Sequence, residues 1–140
     1  MLNHLTIRNL TVFPEANLDF AQGLNVIIGE NSCGKSHLLK SMYAVLATGY
    51  QSKQHINERP TQAFLQKSYA DKLLTVLRPE TLGRLARRKQ GAERCELSFQ
   101  FDNKSLDTKF VFSTRSKSEV QVEKAPEQWL GETTCVYSHT

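Results

Sequence analysis

The chain has 140 residues, 39% of them hydrophobic and 23% charged, which is the size of one domain and enough apolar material for a core. That balance excludes a disordered chain, and no apolar run is long enough to span a membrane. A net charge of +4 is a mild excess, compatible with polyanionic partners and diagnostic of none. The opening MLNHLTIRNL lacks the charged start and long apolar stretch of a signal peptide, so the expected compartment is the cytoplasm. Three cysteines, Cys33, Cys95 and Cys135, form no CxxC pair, which argues against a disulfide framework or a zinc site.

In chain order, residues 3–8 alternate and predict a strand. Pro14 interrupts, and residues 16–20 alternate again with Leu18 and Phe20 on one face. Ala21-Gln22-Gly23 signals a turn, and the apolar run 24–28 predicts a short buried strand. The pattern turns helical over residues 35–47, with Gly49 expected just past the helix end. A polar loop is expected over residues 50–60. A second amphipathic helix follows over residues 61–77, stopped by Pro79. Residues 80–90 predict a short basic helix ending at Gly91. Residues 93–101, 108–113, 119–122 and 133–137 then read as strands, whose short spacing favours an antiparallel meander. The expected organisation is α/β with an α+β character: residues 1–49 as hairpin, loop and helix, 50–92 as loop and helical insertion, 93–140 as antiparallel strands.

Residues 29–36, Gly-Glu-Asn-Ser-Cys-Gly-Lys-Ser, match G-x-x-x-x-G-K-[ST] without a mismatch, between an apolar run and a helix as the motif requires. Gly29 and Gly34 open backbone angles closed to other residues and let the main chain approach an anion. The N–H groups of Asn31, Ser32, Cys33, Gly34, Lys35 and Ser36 then line one concavity, backed by the positive end of the helix dipole. Lys35 supplies a mobile point charge for the outer phosphates. The Ser36 hydroxyl is placed to ligate Mg²⁺, which favours oxygen ligands shared with phosphates. ATP with Mg²⁺ is the expected ligand; no guanine-reading NKxD motif is present.

On these residues the first part of the chain resembles the SMC/RecF/ABC-type ATPases, with the short stand-alone bacterial AAA members and their OLD-like group most similar. The matching elements are Ile7-Arg8-Asn9-Leu10, Gly23-Leu24-Asn25 and the loop from Gly29 to Ser36, within residues 1–47. Residues 72–88 resemble, more loosely, the helical insertion of bacterial members. The resemblance implies the N-terminal lobe of an ATPase head, with Thr11 and Phe13 near the adenine. Phe13 could stack on the base or serve as a core residue at a strand end. The sequence departs from the family pattern at Ser32, where a third glycine is usual. It departs again at His37, where a Thr or Ser commonly meets the α-phosphate; a neutral histidine can still donate one hydrogen bond there.

The family's hydrolytic elements are not legible. The nearest Walker B candidate, residues 97–102 (LSFQFD), is broken by Gln100 and followed by Asn103 where a glutamate is needed. Leu97-Ser98 is not followed by the Gly-Gly of a signature motif, and His139 has no readable place as a switch residue. No residue is assigned as catalytic. The reading is the N-terminal part of an ATPase head that would dimerise, or meet a partner subunit carrying the other elements, around ATP; apolar faces left without a neighbour favour such association. The alternative is a non-catalytic nucleotide-sensing or interaction module. Arg84, Arg87, Arg88 and Lys89 fall in a basic stretch that suits nucleic-acid backbone contact; a solvated helix face explains the same charges.

Overall fold

The computed structural model describes residues 2–30, 34–53, 59–88 and 93–129. Its frame is one five-stranded antiparallel sheet in the order β2-β1-β3-β4-β5. The strands are β1 (Leu2–Leu10), β2 (Phe13–Asp19), β3 (Arg94–Phe101), β4 (Thr108–Ser113) and β5 (Gln121–Lys124). Period-2 patterning sets the register. Leu5, Ile7, Leu97, Phe99 and Phe110 have no exposed surface and share the inner face. His4, Thr6, Arg8, Glu15 and Glu96 alternate with such residues and form a polar outer face, tied across strands by His4–Asp19 at 2.6 Å and Thr6–Asn17 at 3.0 Å. The hairpin and the meander are thus one sheet, because β1 pairs with β3 as well as with β2.

Two helices cover the inner face: α1 (Lys35–Lys53) and α2 (Gln62–Leu77). Thr61 caps α2, its hydroxyl accepting from the Phe64 N–H at 3.2 Å, which satisfies one of the first-turn donors. Arg78 ends the helix in the left-handed region, with φ 52° and its N–H on the Leu74 carbonyl; Pro79 follows. Leu65, Tyr69, Ala70 and Leu73 of α2 are buried, and the Tyr69 ring stacks on Phe110 at 5.1 Å. Gln62 and Gln66 fasten α2 to β5, with Gln62 donating to the Val122 carbonyl and Gln66 accepting from its N–H. Lys72 ties α2 to α1 through Gln51 at 2.7 Å.

Five expectations are corrected. Residues 24–28 form no strand and are not buried: Leu24, Val26 and Ile28 are 87%, 69% and 89% exposed. Strand propensity needs a neighbouring strand to pair with, and none of the described strands lies beside this run. Gly49 does not end α1, which runs to Lys53 with Gly49 buried; packing against α2 outweighs the roughly 1 kcal/mol cost of an interior glycine. The basic helix over residues 80–90 is instead a single 3₁₀ turn, Leu82–Leu85, followed by extended backbone. Backbone bonds to Ser116 and Asn9 hold it there. β5 begins at residue 121 rather than 119, because the Val120 N–H is given to the Gln66 carbonyl of α2. Pro14 does not break β2; it sits on the edge strand, where a missing N–H costs no ladder bond. The expected strand 133–137, Cys135 and His139 lie outside the described residues.

Candidate functional site

The connection from β2 to α1 starts with a side-chain clamp. The Asn25 amide accepts from the Ala21 N–H at 2.9 Å and donates to the Ala21 carbonyl at 2.8 Å, closing residues 21–25 into a turn. The chain then runs exposed to Gly29 and Glu30. Asn31, Ser32 and Cys33 lie outside the described residues. Gly34 follows with φ +87°, in a region where side-chain-bearing residues are strained. Its carbonyl accepts the first helical bond of α1, from the Leu38 N–H at 3.0 Å. The N–H groups of Lys35, Ser36 and His37 therefore stand in the first turn, without intrahelical acceptors and at the positive end of the dipole. No acidic residue occupies that turn to neutralise it. The Lys35 ammonium group donates to the Gly29 carbonyl and so ties the two ends of the loop together. Ser36 is half-buried and His37 exposed.

This donor set suits a polyphosphate and its cation. Among the described residues no group of three His, Cys, Asp or Glu side chains could hold a metal ion. A cation bound here would take one hydroxyl from Ser36 and the rest of its shell from phosphate and water, as Mg²⁺ favours.

The tip of the β1–β2 hairpin packs directly on Gly34. A Cβ at Gly34 would stand 2.5 Å from Cγ2 of Val12 and 3.0 Å from Cε2 of Phe13. Gly34 is thus required twice, by its backbone angle and by the side chains above it. The tip itself is strained: Asn9 and Thr11 have φ of 56° and 49°, and the Thr11 hydroxyl is buried with no hydrogen bond among the described residues. Of the two residues expected near the base, Phe13 lies against Gly34 and is also packed against the core, and Thr11 stands in the same hairpin tip.

The basic stretch is largely engaged elsewhere. Arg84 faces Glu80 at 3.6 Å, and Arg94 reaches Glu96 and Glu123. Arg87 donates to the Val12 carbonyl at 3.0 Å. Arg88 is exposed, and Lys89 lies outside the described residues. Cys95 is a buried free thiol, and burial, followed by the Glu96 charge, pushes its pKa up; it is inert core, not chemistry. The Walker B candidate, residues 97–102, falls in β3 and just past it, inside the antiparallel sheet, with Leu97, Phe99 and Phe101 buried and Gln100 facing out. Sequence reasoning missed the Arg87–Val12 contact, because 75 residues separate the partners and no spacing signal announces it. It also gave Asn25 no structural role, although a turn followed by asparagine is a readable signal for such a clamp.

Among curated proteins, the chain is 38% identical over 58 residues to the DNA replication and repair protein RecF of Enterococcus faecalis, covering 41% of this chain and 15% of that protein. It is 48% identical over 48 residues to RecF of Magnetococcus marinus, covering 34% and 12%. The matched stretch is thus under a fifth of those relatives' length. Among solved structures, a chain from work on the structural biochemistry of ATP-driven dimerization and DNA-stimulated activation of SMC ATPases superposes with a TM-score of 0.55 at 14% identity, over 89% of this chain and 70% of that one. At that identity the likeness shows the fold, that of a P-loop NTPase. The family model described as AAA ATPase domain matches residues 1–133. Since that match takes in nearly the whole chain, this protein belongs to the AAA ATPase domain family, and its ATP-binding fold is of the SMC/RecF type.

Proposed function

We propose that the chain binds Mg·ATP through Gly29, Asn31, Ser32, Cys33, Gly34, Lys35, Ser36 and His37, with the base beside Thr11 and Phe13. The observation that carries this is the junction at Gly34: a left-handed glycine opens a helix whose first turn holds Lys35 and Ser36 and no carboxylate. Backbone N–H groups and the helix dipole hold the phosphates, and Lys35 exchanges the Gly29 carbonyl for phosphate oxygens. Mg²⁺, bound beside Ser36, neutralises phosphate charge. Strain gathered at the hairpin tip, with a buried Thr11 hydroxyl that has no hydrogen bond among the described residues, supports a ligand-facing role for it. Hydrolysis would depend on a Walker B carboxylate and signature elements that are not legible in these 140 residues.

The SMC work speaks of ATP-driven dimerization and DNA stimulation. Carried to this chain, the exposed apolar run 24–28 suits burial on association, and Arg88 with Lys89 suits phosphate-backbone contact. Arg84 and Arg87, already engaged with Glu80 and Val12, contribute less to such contact.

Titration calorimetry with Mg·ATP and Mg·ADP, with Lys35→Ala as control, tests the reading. Wild type should bind both, and Lys35→Ala should lose affinity on the order of a hundredfold, the loss expected for a charge-assisted phosphate contact. No heat from the wild-type chain would end it. Phosphate release by these 140 residues, abolished in Lys35→Ala, would overturn the dependence on further elements.

A further inference from the structure

We infer that Arg87 is a positioning residue for nucleotide binding, pinning the β1–β2 tip onto the phosphate loop; this rests on the proposed nucleotide reading. Three contacts place it. The Arg87 N–H donates to the Asn9 carbonyl at 2.7 Å, the Thr11 N–H donates to the Leu85 carbonyl at 2.7 Å, and Leu10 and Ala86 form an antiparallel bridge. From that position Arg87 Nη1 donates to the Val12 carbonyl at 3.0 Å. Val12 is 48% exposed, so its own burial does little to fix it, yet its Cγ2 covers Gly34. A tip with positive φ at Asn9 and Thr11 needs fixing from outside. Arg87 supplies that at Val12, and the Asn9 amide supplies it on the other side by donating to the Arg94 carbonyl at 3.1 Å.

The base on which Arg87 stands is rigid. Leu82, Leu85 and Ala86 are buried. The Gly83 N–H donates to the Ser116 carbonyl at 2.8 Å, and a Cβ at Gly83 would meet the Thr114 carbonyl oxygen at 2.2 Å. This strap cannot shift without moving the β4–β5 connection, so the tip is the part that yields when the contact is lost. An arginine fits the task because its charged, planar donor makes a strong, directional bond to a carbonyl. The tip then fixes Gly34, and Gly34 fixes where the first N–H groups of α1 point.

The test is calorimetry on the whole 140-residue chain, without nucleic acid, using Mg·ATP and Mg·tripolyphosphate. Arg87→Met keeps the aliphatic stem and removes the donors. It should weaken both ligands about three- to tenfold, the loss expected for one charge-assisted hydrogen bond felt at a distance, and Arg87→Lys should restore most of it. Val12→Ala should give a loss of similar size, and Arg87→Met should add little in that background, because both act through one contact. Wild-type affinity in Arg87→Met overturns the inference, as does a lowered melting temperature with unchanged affinity. Loss for ATP alone, with tripolyphosphate unaffected, also overturns it, since the route would then run through the base and not through Gly34. Should Arg87→Met fail to fold, an unchanged affinity in Val12→Ala does the same. If wild type binds neither ligand, the nucleotide reading itself has failed, and this shows before any variant is compared.

Discussion

Two stretches of this chain carry similar apolar patterns and end in opposite places. In β3, Leu97 and Phe99 have no exposed surface. In residues 24–28, Leu24, Val26 and Ile28 are mostly exposed, and Ile27 alone of the run packs against the core. Both runs favour extended backbone. The difference is what lies alongside: β3 has β1 on one edge, β4 on the other and helices over its inner face, whereas no described strand pairs with the second run. Apolar side chains stabilise a strand only through the surface they bury, at about 25 cal/mol per Å², so the same pattern stabilises β3 and leaves residues 24–28 to contribute little.

The contrast can be broken first at β3. Phe99→Ala should destabilise the fold by about 3–5 kcal/mol, the range for emptying a buried aromatic site, as read by urea denaturation at constant m-value. A loss under about 1 kcal/mol would mean that β3 is not the centre of the core. A smaller effect is expected at the edge of the platform. Thr61→Ala removes the α2 cap and should cost about 1 kcal/mol, with Thr61→Ser close to wild type in the same assay. The smallest effect belongs to the exposed run. Val26→Thr with Ile28→Thr should change stability by less than about 0.5 kcal/mol, while reducing any self-association seen by sedimentation. A clear stability loss from that pair would show that the run is covered in solution, and the contrast with β3 would disappear.

The same difference explains what could be read in advance. The strands 93–101 and 108–113 and the helix over 61–77 were legible because their own patterning matches the surfaces they pack against, with Thr61 and Pro79 marking the helix limits. The Gly49 stop failed because α1 packs on α2 beyond it, and the basic helix failed because backbone partners at Asn9 and Ser116 capture residues 82–87. Of the candidate site, Gly34, Lys35 and Ser36 were legible from spacing, since the motif is local. The resemblance put Thr11 and Phe13 near the adenine, whereas the packing of Val12 and Phe13 on Gly34 and the Arg87 contact were not legible.

By itself the sequence determined the G-x-x-x-x-G-K-S motif, the helix that follows it and the alternation that makes β1 and β3 two-faced, because each depends on residues within a turn or two of one another. Only the tertiary structure decided that β1 joins hairpin and meander into one sheet, that the hairpin tip presses on Gly34, and that an arginine far along the chain holds it there. Those contacts join residues distant in sequence, and their energy comes from surfaces that exist only once the chain has folded.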